Sequence, residues 1–155
     1  MLKSIEGNFD HPEVNKLLTK HFIELRAASP EGSAHVLDIP GLKIPSIKFW
    51  SLWEDEKIFG CGALKFLDKY HGEFKSIRIH DDFRNKGNGI KVIEHLIDEA
   101  KKLNITKISI ETGAGKFFFP ARRLFEKCDF KPCKPFAHYK EDVNSIYLTR
   151  TLDNN

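Results

Sequence analysis

Gly72-Glu73-Phe74-Lys75-Ser76-Ile77-Arg78-Ile79 runs through a bulky turn (Asp81, Asp82, Phe83) into Arg84-Asn85-Lys86-Gly87-Asn88-Gly89, and Ile90 to Leu103 follows. The first stretch reads as a strand and the last as a helix. The six residues before Ile90 read as a loop that opens the helix. Two glycines in such a loop leave backbone N–H groups uncovered. Those donors, with the positive end of the helix dipole, form a site for phosphate or pyrophosphate. Arg84 and Lys86 add cationic charge at the same place. The segment therefore predicts a phosphorylated cofactor held by a strand–loop–helix unit.

Spacing narrows the choice of cofactor. A dinucleotide fingerprint needs a third glycine three residues after Gly89, where Val92 stands. A Walker A loop needs Gly-Lys followed by Ser or Thr, but Phe117 follows Gly115-Lys116. What remains is Arg84-x-x-Gly87-x-Gly89 behind a strand carrying Ile77-x-Ile79. This pattern resembles the acetyl-CoA loop of the GNAT acetyltransferase superfamily.

The rest of the chain sets bounds. Its 155 residues suit a single domain, 1–155, with a core that needs no staples. With 41% hydrophobic and 30% charged residues it has the composition of a soluble globular protein. No apolar run has the length of a membrane helix, and Met1 to Glu6 is no signal segment, so a cytoplasmic location is expected. A net charge of +3 suits an anionic cofactor, and no basic arm or reading motif calls for nucleic acid. Cys61, Cys128 and Cys133 form no C-x-x-C pair and read as ordinary thiols. His35, His71, His80 and His138 are not at ligand spacings, so no metal is expected.

Along the chain, a short strand spans about Leu2 to Phe9. A helix follows, with Asp10 as its cap, Pro12 in its first turn and Glu13 at the capping-box position. Val14, Leu17, Leu18, Phe22 and Leu25 give it an apolar stripe. Ser29 to Ser46 reads mainly as a loop with room for a short helix. Strands are expected over Ile47–Glu54, Lys57–Leu67 and the Glu73 segment, then Lys107–Glu111. Pro120 starts a last helix, Phe130 begins a strand broken by prolines, and Ser145 to Leu152 forms the seventh. The fold class is mixed α/β, a central sheet of about seven strands flanked by about four helices. That order is the GNAT order.

The resemblance covers nearly the whole chain. It extends through Phe49-Trp50-Ser51, Gly60 to Lys65, Glu111-Thr112-Gly113 and Pro135-Phe136-Ala137, which are similar to small bacterial GNAT acetyltransferases. It implies acetyl-CoA as acyl donor and direct transfer to an amine of a small molecule or peptide. It implies cofactor contacts from Ile77, Arg78 and Ile79 through their backbones, and from Arg84, Asn85, Lys86, Gly87, Asn88, Gly89 and Ile90. Glu73 stands eleven positions before Arg84, as the catalytic glutamate does in histone-acetylating members.

An amine must be neutral to attack a thioester, so the site needs a base. Glu73 is that candidate, and period-two alternation puts it on one side with Lys75, Ile77 and Ile79. A strand-start ion pair with Lys75 or Lys69 is the competing reading. The family's usual proton donor, a tyrosine, is replaced by Phe125, and an asparagine that often precedes it by Phe118. Tyr139 is the candidate substitute. Trp50 and Trp53 are expected on opposite strand faces, one in the core and the other lining an acceptor groove together with Ser29 to Ser46 and the turn near His138. A non-catalytic acyl-CoA-binding sensor is the alternative function. A homodimer is the ordinary expectation for assembly.

Overall fold

The computed structural model describes residues 2–152. Strand β1 (Leu2–Glu6) leads to helix α1 (Pro12–Ala28) and the four-residue α2 (Ile39–Leu42). Three antiparallel strands follow: β2 (Ile47–Glu54), β3 (Lys57–Phe66) and β4 (His71–Ile79). Helix α3 (Asn88–Lys102), strand β5 (Lys107–Gly113), helix α4 (Phe119–Lys127), and strands β6 (Lys131–Pro132) and β7 (Ser145–Thr151) complete the order. The seven strands form one sheet in the order β1-β2-β3-β4-β5-β7-β6. Among the described residues only β4 and β5 run parallel.

Local chemistry explains most boundaries. Pro12 sits in the first turn of α1, where its missing N–H costs nothing. The cap is His11, whose Nδ1 accepts from the Glu13 N–H at 3.1 Å, one residue later than the expected Asp10. In the apolar stripe of α1, Val14, Leu17 and Leu18 are joined by buried His21, while Phe22 is only partly buried. Helix α3 starts at Asn88, two residues before the expected Ile90, because Gly87 already supplies the left-handed N-cap (φ 74°).

The sheet separates two cores. On one face α3 and α4 bury Ile93, Leu96, Phe125 and Phe130 against Leu64, Phe74 and Ile110. On the other, α1 and α2 bury Val14, Leu18 and Leu42 against Phe49, Trp53 and Ala63. Trp50 belongs to the first core and Trp53 to the second, at 3% and 6% exposure. The tryptophans do take opposite faces, but neither lines a groove. Their indoles fill core volume, and Trp53 Nε1 donates to Ser51 Oγ at 2.9 Å.

Two irregularities in β4 make the site. Ala63 pairs with Lys75 and Cys61 with Arg78, so Ser76 and Ile77 together oppose Gly62 alone. This is a β-bulge, and Ser76 takes φ 54°. It breaks the expected alternation. Lys75 and Arg78 share the α1 face with Ala63 and Cys61, whereas Ile77 and Ile79 pack into the α3 core. The second irregularity is the parting of β4 from β5. They pair only at His71–Lys107, Gly72–Ile108 and Glu73–Ser109. Beyond Glu73 the strands diverge, and β4 turns an unpaired backbone edge toward the gap.

Candidate active site

The gap is a cleft of about 710 Å³. One wall is β4 from Glu73 to Ile79, and the other is β5 from Ile110 to Gly113. The N-terminus of α3 closes one end, α4 contributes Ala121, Leu124 and Phe125, and α1 with its following loop contributes His21, Leu25, Ser29, Ser33 and His35. That loop is pinned across the molecule. Ser33 Oγ donates to Asp142 at 2.8 Å and accepts from Asn144 Nδ2 at 3.3 Å.

Most of the residues singled out in the sequence meet here. Ile77, Arg78, Ile79, Arg84, Asn85, Gly87, Asn88, Gly89 and Ile90 all line the cleft, and so does Glu73. Lys86 is exposed and does not. Arg84 is positioned by its Nε, which donates to the Ile79 carbonyl at 3.3 Å and pairs with Asp81 at the same distance. Asn88 Nδ2 donates to the Phe83 carbonyl at 2.8 Å. No side chain caps α3, so its first N–H groups are available to an anion. Gly89 matters sterically: a Cβ there would lie 2.7 Å from Leu124 Cδ2.

Glu73 is 1% exposed. Its Oε2 accepts from the Tyr139 hydroxyl at 2.6 Å and from Lys75 Nζ at 3.3 Å, and Lys75 Nζ also reaches the Tyr139 oxygen at 3.1 Å. Lys69 makes no ion pair with it, so of the two expected strand-start pairings only Lys75 is present. Burial, reinforced by the Glu73 charge and hydrogen bond, pushes the Tyr139 phenol far above its ordinary value. Tyr139 is held by edge contacts with His35 and Phe136, at ring-centroid distances of 5.1 Å each, and by His138 stacked at 4.6 Å.

Four buried polar atoms on cleft-lining residues have no hydrogen-bond partner among the described residues: His21 Nδ1, Glu73 Oε1, Ser76 Oγ and Arg78 Nε. Buried polar groups are nearly always satisfied, so water or a polar ligand in the cleft is the partner these atoms call for. Arg78 also donates two bonds to the Glu24 carboxylate, at 2.8 and 3.1 Å. Two further groups escaped the sequence reading. His21 is one, and its place on the apolar stripe of α1 was the available signal. Glu111 is the other, a carboxylate on β5 whose pKa burial raises and whose Oε2 accepts from Ser145 Oγ at 2.7 Å. Its signal was an acidic residue two positions after Ser109, facing away from Ile108 and Ile110.

No group of three His, Cys, Asp or Glu among the described residues could hold a metal ion. No described helix is long and apolar enough to cross a membrane.

A strand edge opened toward a helix N-terminus, with a buried carboxylate at the closed end of the gap, is the architecture of a coenzyme A-dependent acyltransferase. Residues 13–130 match the acetyltransferase (GNAT) family, and the chain belongs to it. It is 43% identical over 140 residues to the Bacillus subtilis protein named "uncharacterized N-acetyltransferase YsnE", covering 90% of this chain and 93% of that one. It is 37% identical over 145 residues to the Escherichia coli protein named "uncharacterized N-acetyltransferase YedL", covering 94% and 91%. A GNAT family acetyltransferase from Elizabethkingia anophelis, solved with acetyl-CoA bound, shares the fold with a TM-score of 0.66. The two are 21% identical, and the match covers 97% of this chain and 98% of that one. The protein is an N-acetyltransferase that uses acetyl-CoA, and the reading as a non-catalytic sensor is set aside.

Proposed function

We propose that the protein transfers acetyl directly from acetyl-CoA to an amine of a small molecule or peptide within a ternary complex, with Glu73 as the base. The observation that carries this is Glu73 itself. Its Oε2 is held by Tyr139 and Lys75, its Oε1 is buried and unpartnered, and the residue borders the cleft. A carboxylate oxygen fixed in this way is placed to take a proton from an incoming ammonium or amine, directly or through water.

Bound acetyl-CoA supplies an activated acyl thioester. The phosphates fit the uncapped α3 N-terminus and Arg84, and the extended arm fits the unpaired β4 edge from Ile77 to Ile79. The nitrogen–carbon bond forms as the carbon–sulfur bond breaks; the sulfur keeps the electron pair, and Glu73 takes the proton. In this reading Tyr139 orients Glu73 rather than supplying a proton, because its phenol is held well above the ordinary range while it donates to Glu73. Phe125 lines the cleft and has no proton to give.

The acceptor enters between Ser29, Ser33, His35 and the β4–β5 fork. In this reading the chain, 1–155, acts as one domain. The three free thiols fit a reducing compartment, so the cytoplasm is the expected location.

The test is CoA release, read with a thiol dye, from acetyl-CoA and a panel of amines. Release that requires an amine, and falls in Tyr139→Phe, is the expected result. Release indifferent to every amine would contradict direct transfer.

A further inference from the structure

We propose that the acceptor is a diamine-class dication, its second ammonium held by Glu111 while its reacting nitrogen faces Glu73. This rests on the reading of Glu73 given above. The cleft carries two carboxylates where proton removal needs one. Glu73 has a cation, Lys75 Nζ, at 3.3 Å. Glu111 accepts one hydrogen bond from Ser145 and makes no ion pair among the described residues. Lys75 and His35 act on it electrostatically, but Lys75 is already engaged by Glu73 and Tyr139.

A largely buried carboxylate without a cation is costly, and burial accordingly pushes Glu111 toward its neutral form. Glu73 pushes it the same way, so the two carboxylates share one electrostatic environment. An ammonium delivered by the acceptor removes that penalty. The unpartnered Glu73 Oε1, on a residue 1% exposed that lines the same cleft, marks the other end of the proposed site, where the reacting nitrogen would sit.

The fold sets the spacing. Glu73 pairs with Ser109, and Glu111 lies two residues further along β5, on the same face. Two residues along a parallel strand rise about 6.6 Å and neighbouring strands stand about 4.8 Å apart, so the diagonal is about 8 Å, and more where strands part. A linear spacer of roughly three to five carbons between the two nitrogens suits a separation of that order. A carboxylate in place of the second ammonium would meet Glu111 as a like charge.

The experiment compares three acceptors of matched length: 1,4-diaminobutane, n-pentylamine and 5-aminopentanoate. Acetyl-CoA is saturating and CoA release is read. The diamine should exceed both others in kcat/KM by on the order of tenfold or more, with the aminopentanoate lowest. Glu111→Gln keeps an acceptor for the Ser145 hydroxyl and removes the charge, and it should collapse the diamine preference. No preference in the native protein, or one that survives in Glu111→Gln, overturns the proposal. If Glu111→Gln does not fold, calorimetry on the native CoA-saturated protein decides. Tighter binding of the diamine than of n-pentylamine supports the proposal, and equal binding overturns it. Turnover with other amines but no discrimination among these three would leave acetyl transfer standing and remove the dication.

Discussion

Lowering the pH from about 7 to about 5 should destabilise the protein through one residue, His21. Its side chain is 5% exposed on the inner face of α1 and borders the cleft beside Arg78. Burial, then the charges of Arg78 and Arg84, lower its pKa from 6.5 to about 3. In the unfolded chain the imidazole titrates near 6.5. Between those values the unfolded state holds a proton that the folded state refuses, so stability rises with pH across this window and falls on acidification. The slope is about 1.4 kcal/mol per pH unit, which gives about 2 kcal/mol lost by pH 5. That is a large share of a typical total of about 5–15 kcal/mol. His71, also lowered chiefly by burial, adds a slope of the same sign, and Glu111, raised by burial, opposes it. Comparison with His21→Phe cancels both. Urea unfolding at pH 7, 6 and 5 should show the native protein losing about 2 kcal/mol more than His21→Phe. Equal losses in the two proteins would refute the claim that His21 is held neutral.

Other expectations can be checked with purified protein. Gly89→Val should drive its side chain into Leu124 and narrow the cleft, weakening acetyl-CoA binding in calorimetry by about tenfold or more. Gly87→Ala meets nothing within 4 Å but must hold φ 74°, so its cost of about 1–2 kcal/mol should appear in stability. Acetyl-CoA at a hundredfold excess over its dissociation constant should stabilise the native protein by about 2.7 kcal/mol, seen as a raised melting temperature. Tyr139→Phe removes a hydrogen bond to a charged acceptor, so kcat/KM should fall by an amount equivalent to about 1.5–3 kcal/mol, with acetyl-CoA affinity retained.

The cofactor half of the site was legible because its chemistry is local. Gly87, Gly89 and Arg84 sit within one turn of a helix start, and their spacing carries the reading without knowledge of the fold. The acceptor half depends on tertiary geometry. The bulge at Ser76 has no compositional mark, since a serine at φ 54° looks like any strand residue in sequence. Strict alternation therefore put Ile77 and Ile79 on the side of Glu73, and the structure puts them on the other. The parting of β4 and β5 was not legible, because pairing that stops at Glu73–Ser109 is a property of two strands and not of either one. Glu111 stood in the sequence only within the Glu111-Thr112-Gly113 stretch that carries the resemblance, with no role of its own. Its place in the cleft comes from the fork between β4 and β5, which no periodicity reveals.

The central claim, that Glu73 takes the acceptor's proton, is tested most directly by Glu73→Gln. Steady-state CoA release with an accepted amine and calorimetric titration with acetyl-CoA should be run on the same preparations. The account predicts that kcat falls by about 10²–10⁴ while acetyl-CoA affinity stays close to the native value. Native turnover in Glu73→Gln would contradict it and leave Glu73 as a buried partner of Lys75 and Tyr139 alone.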